Sequence, residues 1–150
     1  MASNAQSFSL DIAKFIEKAK AAPEQVVRKV GLSIGSRLVD MSPVADPDTW
    51  KNPDPTYVGG RFRANWNLSF GVIDTSTTKS VDKAGAATKE RMRVMLNGWP
   101  VGAEIFFTNS LPYAIPLEYG YSNQAPLGMV RITVAEFQTF VNAAVAELPK

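Results

Sequence analysis

The chain has 150 residues, 45% of them hydrophobic, and 16 basic against 14 acidic residues give a net charge of +2. A length of this order suits one domain that buries roughly 70% of its unfolded surface, and so small a charge excess argues against binding nucleic acid mainly by phosphate neutralisation. Cysteine and histidine are both absent, which excludes disulfides, thiolate chemistry and every imidazole-dependent triad.

Carboxylates, Lys, Tyr and Ser/Thr remain for catalysis, and each would need a strongly perturbed environment near neutral pH. Met1 to Leu10 lacks a basic run followed by an apolar stretch, so no signal peptide is expected. No apolar run approaches the length of about 18 residues that a membrane helix needs. The expected location is a cytoplasm, unless the chain is packaged into something.

From Ser9 to Asp40 the apolar spacing is helical. Ile12, Phe15, Ile16 and Ala19 form one stripe, with Ser9 at the N-cap position, and Val27, Val30, Ile34 and Leu38 form a second. Pro23 lies between them, so the segment is two helices or one helix kinked at Pro23. Ser42 to Gly60 is a long loop: Ser42 to Pro55 alone holds four prolines and three aspartates, and nothing periodic survives. Such loops are usually functional or disordered, and the prolines favour an extended arm. Trp50 and Tyr57 on it either fold back on their own domain or dock on a neighbouring subunit, where aromatics act as anchors.

Arg61 to Asp74 reads as the clearest strand. Phe62, Ala64, Trp66, Leu68, Phe70 and Val72 alternate with Arg61, Arg63, Asn65, Asn67, Ser69 and Gly71, giving one apolar and one polar face. The polar face is either a solvated sheet surface or a contact surface whose Arg forks pair with carboxylates of a second copy. The Gly59-Gly60 pair reads as a hinge into the strand. After a polar turn from Asp74 to Ser80, Lys83 to Leu96 reads as a helix with the stripe Ala84, Ala87, Met92, Met95 and Leu96, closed by Asn97-Gly98. Its charges, Lys79, Lys83, Lys89, Arg91 and Arg93 diluted by Asp82 and Glu90, read as a solvated face.

Ala103 to Thr108 is a second strand. Pro112 to Gly120 alternates like a strand, yet Pro116 would break a central one, and a short helix ending at Gly120 is preferred. Tyr121 to Gly128 is a loop. Met129 to Leu148 is helical, with Val130, Val134, Phe137, Val141, Ala144 and Val145 on one face.

Little in the chain carries chemistry. Asp46 and Asp48 have a D-x-D spacing beside Asp54, but the loop lacks the glycine and terminal Glu of a calcium loop. Glu104 and Glu118 form an acid/base pair only if neighbouring elements bring them together. Neither a phosphate loop nor a nucleophile elbow is present. No catalytic residue, cofactor or metal is expected.

Two stretches resemble a known family. Ser42-Pro43-Val44, then Gly60-Arg61-Phe62-Arg63-Ala64-Asn65-Trp66, is similar to the "Ser-Pro-Val-Asp-Thr-Gly-x-Leu-Arg-x-Ser-Trp" signature of the neck or minor tail-component proteins of long-tailed phages. Asn109-Ser110-Leu111-Pro112-Tyr113-Ala114-Ile115-Pro116-Leu117-Glu118-Tyr119-Gly120, then Gln124-Ala125-Pro126-x-Gly-Met129-Val130-Arg131, resembles that family's "Asn-x-x-Pro-Tyr-Ala-x-x-x-Glu-x-Gly" segment and the entry to its last helix. The order of elements agrees from about the second helix onward. The departure is the insertion between Val44 and Gly60, where the family usually runs straight on.

The resemblance implies a structural virion protein without catalytic residues, made in the host cytoplasm. It would form a homo-oligomeric ring, with a hexamer expected, that joins capsid connector to tail tube with DNA passing through its lumen. A tail-completion or tail-terminator protein is the alternative within the same apparatus, and a small carboxylate-dependent hydrolase is the alternative from another class. The fold expected for 1–150 is a single α+β domain. In it a small, mostly antiparallel sheet is packed by long N- and C-terminal helices, and 42–60 forms an extended Pro-rich loop or arm. The residues expected to carry assembly are Trp50, Tyr57, Arg61, Arg63, Tyr113, Glu118 and Tyr119, with Trp66 assigned to the core.

Overall fold

Helix α1 (Pro23–Met41) opens on proline, whose fixed φ suits a first helical turn. The computed structural model describes residues 23–148, so Ser9 and the stripe Ile12, Phe15, Ile16 and Ala19 lie outside the described residues. Among those described the fold is α+β, with six α-helices and one two-stranded antiparallel sheet.

The inner line of α1 is Val26, Val30, Gly31, Gly35, Leu38 and Val39. Val27 and Ile34 are only half-buried because two glycines take part of the inner line. A Cβ on Gly35 would stand 2.6 Å from Met92 Sδ and 3.0 Å from Phe107 Cε1, and one on Gly31 would stand 3.0 Å from Leu96. Each glycine costs about 1 kcal/mol of helix propensity, and in return α1 lies close against the helix and sheet beneath it.

That helix is α3 (Ala86–Asn97), which starts at Ala86 rather than Lys83. Its N-terminus is fixed by Asp82, whose carboxylate accepts from Gly85 N at 3.0 Å, Thr88 N at 2.7 Å and Thr88 Oγ1 at 2.8 Å. Its buried line is therefore Thr88, Met92 and Leu96, while Ala84 and Ala87 are exposed. The basic residues on this helix are largely committed. Lys89 pairs with Asp40 at 2.6 Å, Arg93 with Glu90 at 2.6 Å, and Arg91 donates to Trp66 O at 2.8 Å.

The long strand expected from Arg61 to Asp74 is shorter and begins differently. Arg61–Ala64 is a helical turn, α2, and only Asn67–Phe70 forms strand β1, pairing antiparallel with β2 (Ile105–Thr108). Gly60 turns the chain into α2 at φ 108°, and a Cβ there would lie 2.5 Å from Lys83 N, so it is a close-packed corner rather than a hinge. In the turn Phe62 and Trp66 stack edge-on with centroids 5.9 Å apart. A period of two contains every i,i+4 pair, so alternation did not separate this turn from a strand. Beyond Phe70 the chain leaves the sheet at Gly71, and Val72 is 76% exposed instead of facing the core.

The polar residues of the segment hold a strap of their own chain. Ser69 Oγ accepts from Asp74 N at 3.2 Å, Asn67 Nδ2 donates to Ser76 O at 2.7 Å, and Asn65 exchanges bonds with Thr78 N and O at 2.8 and 3.0 Å. Side chains thus replace a backbone ladder, and Asn65 is buried. The sheet's inner face, Leu68, Phe70, Ile105 and Phe107, joins the main core with Leu38, Val39, Met92 and Leu96.

The expected single C-terminal helix is interrupted at Glu136, giving α5 (Val130–Ala135) and α6 (Phe137–Ala146). The Glu136 carboxylate takes two bonds from Arg37 at 2.8 and 2.9 Å, tying the break to α1. Val130 and Val134 are exposed rather than inward. Thr133 takes the inner place because its hydroxyl donates back to Met129 O at 2.8 Å. Helix α6 packs on α1 through Val26, Val30, Val141 and Ala144, a cluster without sheet residues.

Trp66, 4% exposed, donates its indole N–H to Ser42 Oγ at 2.7 Å, and that hydroxyl donates to Leu38 O at 2.6 Å. Ser42→Ala would leave a buried indole N–H without its acceptor. It should lower the free energy of unfolding by about 1–3 kcal/mol, measured by urea denaturation at neutral pH.

Candidate functional site

Helix α4 (Ala114–Glu118) is the short helix expected between Pro112 and Gly120, and Pro116 lies in its first turn, where a missing N–H is tolerated. The chain enters it over Leu111, which is buried, and Asn109, whose Nδ2 donates to Phe62 O at 2.9 Å. The helix separates two open clefts. Tyr113 and Leu117 face one of about 640 Å³, and Ile115, Glu118 and Tyr119 face another of about 510 Å³. Buried Phe62 lines both.

The larger cleft brings together four of the expected assembly residues: Trp50, Tyr57, Arg61 and Tyr113. Trp50 and Tyr57 pack with their rings tilted by 54° and centroids 4.9 Å apart, and Tyr113 packs against Phe62 at 5.9 Å. Trp50 and Tyr57 remain 39% and 38% exposed, so they are neither sunk in the core nor free in solvent. Their loop is anchored at its base: Gln124 donates to Val44 O at 2.8 Å and accepts from Val44 N at 3.0 Å. Gly59 lies directly against the Ala45 carbonyl. Between these points a 3-10 turn at Pro47–Thr49 is capped by Asp46.

Burial raises the pKa of the Tyr113 phenol, with nearby Arg61 working against the rise. That phenol is therefore a hydrogen-bond donor throughout the physiological range. Arg61 donates its Nε to Thr78 O at 3.2 Å and forms no ion pair among the described residues. Arg63 points away from the cleft. Its guanidinium donates to Ser42 O, Lys83 O and Asp40 O at 3.0, 2.9 and 3.0 Å, a scaffolding arrangement. Tyr121 also lines the cleft and is highly exposed. The sequence marks it only as the start of a loop, and its place beside Tyr119 is the one signal for it.

In the smaller cleft Glu118 is committed to the fold. Its carboxylate accepts from Met129 N at 2.7 Å, Val130 N at 2.9 Å and Arg131 N at 3.0 Å, capping α5 from another element. Arg131 returns to Glu118 Oε1 at 3.3 Å and lies 4.9 Å from the centre of the Tyr119 ring, which is 73% exposed. Arg131 was absent from the expected set because its charge alone gave no sign of a partner.

Three of the carboxylates considered for chemistry, Asp46, Asp54 and Glu118, serve local structure. Asp46 and Asp54 accept backbone N–H groups within their own turns. Glu104 is exposed beside β2 and lines neither cleft. Among the described residues no group of three acidic side chains is gathered to hold a metal ion. The chain matches no protein-family model, no curated protein and no solved structure.

Burial alone would raise the pKa of Glu118, but the three backbone N–H groups and Arg131 outweigh it and hold the carboxyl below its usual range. A folded pKa below the unfolded value stabilises the fold above the unfolded value, and that contribution is lost as pH falls through the folded one. Glu118→Gln should therefore cost about 1 kcal/mol at pH 7, typical of a lost helix cap. The difference from the unsubstituted protein should shrink as pH drops below about 4, which denaturant titrations at several pH values would measure.

Proposed function

We propose that this chain is a structural virion protein of a long-tailed phage that joins copies of itself and neighbouring proteins into a ring at the head–tail junction. One observation carries the reading: the two motifs behind the resemblance meet around one short helix. Ser42, Arg63 and Trp66 of the first motif form one hydrogen-bonded knot. Asn109 and Glu118 of the second motif bind Phe62 and the entry to α5. Exposed aromatic clefts lie on both sides of α4. This combination supports a rigid frame that presents contact surface, because anchors such as Trp and Tyr bind best when held in place before contact.

The finer arrangement belongs to the same proposal. The 42–60 loop meets a neighbour. The ring, expected to hold six copies, lies between capsid connector and tail tube and lets DNA pass without sequence-specific contacts; the tail-completion position is a variant of this reading. Head-to-tail contacts close into a ring when their rotation closes. The reading assigns the chain no catalysis, cofactor or metal.

Negative-stain imaging and light scattering of the full chain, alone and mixed with connector and tail-tube proteins of a long-tailed phage, test the proposal. Closed rings, formed alone or on one of those partners, are the expected result. A strict monomer that binds none of them would overturn it.

A further inference from the structure

We propose that the exposed strap 72–79 of one copy adds as an antiparallel strand to the open edge of β2 in a neighbouring copy. This rests on the assembly reading above and gives it a specific contact.

The sheet is open on the β2 side. Gly71 N donates to Glu104 O at 2.9 Å, and the register sets Ser69 opposite Phe106 and Asn67 opposite Thr108. Backbone groups alternate in direction along a strand, so those of Ile105 and Phe107 point away from β1. None of them has a partner among the described residues. The preceding outward carbonyl, Ala103 O, is taken by the Trp99 indole at 2.9 Å, which fixes where the open stretch starts. At its far end Phe107, Thr108 and Asn109 line the smaller cleft. Strand β1 differs: Leu68 is buried, and Arg91 of α3 reaches Trp66 O beside it. From 105 to 108 the β2 edge has neither proline nor charge, the usual devices that block a further strand.

The strap has the character of a strand without a backbone partner. It runs from 73 to 78 without bend or turn, and Val72, Ile73, Thr75, Thr77 and Thr78 are β-branched. Alternate residues are tied to their own frame: Asp74 N donates to Ser69 Oγ, Ser76 O accepts from Asn67, and Thr78 N and O bond Asn65. The residues between, Ile73, Thr75 and Thr77, turn their N–H and C=O groups outward, where they have no partner among the described residues. The same ties hold the strap to its own frame, so a partner for its outer side comes from another chain. Each copy carries one edge of each kind. Contact between them is head-to-tail, as a ring requires.

The end groups set the direction. With Thr77 opposite Ile105 and Thr75 opposite Phe107, each antiparallel pair exchanges both bonds. Ile73 then falls opposite Asn109, at the smaller cleft. Val72 and Ile73, 76% and 53% exposed, meet the exposed Ile115 and Tyr119 there. At the other end Lys79 comes to the end of β2 where Glu104 lies, and neither forms an ion pair among the described residues. A parallel approach would instead bring Asp74 to Glu104. Main-chain bonds supply the affinity in such strand addition, and side-chain pockets the specificity.

Hydrogen exchange on the full chain tests this pairing. In the assembled state, formed alone or on its partners, exchange in 72–79 and in 105–108 should slow by about tenfold or more relative to the unassembled chain. Thr75→Pro and Thr77→Pro each remove an outward N–H and should weaken assembly by about tenfold or more, whereas Thr75→Val and Thr77→Val keep it and should assemble normally. A synthetic peptide of residues 72–79, at millimolar concentration, should move the Ile105 and Phe107 amide resonances of the unsubstituted chain. The same peptide N-methylated at Thr75 and Thr77 should not. Assembly without slowed exchange in either segment would overturn the inference and leave the assembly reading intact. Amide shifts in a chain that forms no ring would keep the strand pairing and sink the ring. Equal shifts from the N-methylated peptide, or from one of scrambled order, would overturn the assignment to the strap. Absence of both assembly and peptide shifts would overturn both readings.

Discussion

The hydrogen bond from the Trp66 indole to the Ser42 hydroxyl is the point on which the rest of the structure depends. It joins the end of α1 to the segment that becomes β1, through two groups that are almost wholly buried. A buried polar pair is worth little when complete and costs much when broken, so this bond acts chiefly as a constraint on register. Arg63 reinforces it from the surface by gathering carbonyls of Asp40, Ser42 and Lys83. Three stretches of chain, at the end of α1, in α2 and before α3, are thereby held in one geometry. Phe62 is placed by the same knot, and Phe62 is the floor of both clefts.

Much of the chain's polar inventory is spent in this way. Asn65 and Asn67 hold the strap, Arg91 caps carbonyls of Ala64 and Trp66, Arg37 grips Glu136, and Glu118 caps α5. These groups pin loops and helix ends that a small core with a two-stranded sheet could not organise alone. The exposed remainder around α4 is unusually apolar and aromatic, with Ile115, Tyr119, Tyr121, Leu127 and Val130 all open. Exposed residues of this kind that gather into one region are a mark of contact surfaces.

Element types were legible in the sequence where one signal dominated. The short helix at Pro112 to Gly120, the strand at Ala103 to Thr108 and the core place of Trp66 followed from proline rules and apolar spacing. The Arg61 to Asp74 alternation misled because Phe62 and Trp66 satisfy a helical spacing as well as a strand's. What separates the two is a glycine corner and three carbonyls converging on Arg63, both of which involve distant chain. The last helix was read one residue out of phase in its first turn, because counting apolar side chains passes over a threonine that satisfies its own hydroxyl. At the site, Trp50, Tyr57, Arg61 and Tyr113 were legible as unusual residues, but their convergence was not. Arg63 reads in the sequence as part of a solvated or contact face and Glu118 as a possible partner of Glu104, whereas both are held mainly by backbone atoms that no side-chain pattern records.

The close approach of Ala45 and Gly59 explains how the long 42–60 loop can coexist with so tight a knot. The loop leaves and re-enters the fold at nearly one place, with Gln124 clamping Val44 on the outgoing side and Gly60 packed on Lys83 on the returning side. Ser42 and Trp66 therefore keep the same separation whatever lies between these two points. The entropy of closing such a loop grows only slowly with its length, so chain can be added there at small cost to stability. Frame and loop are then under different constraints: the frame must preserve buried hydrogen bonds, while the loop answers only to what its aromatic and acidic residues touch.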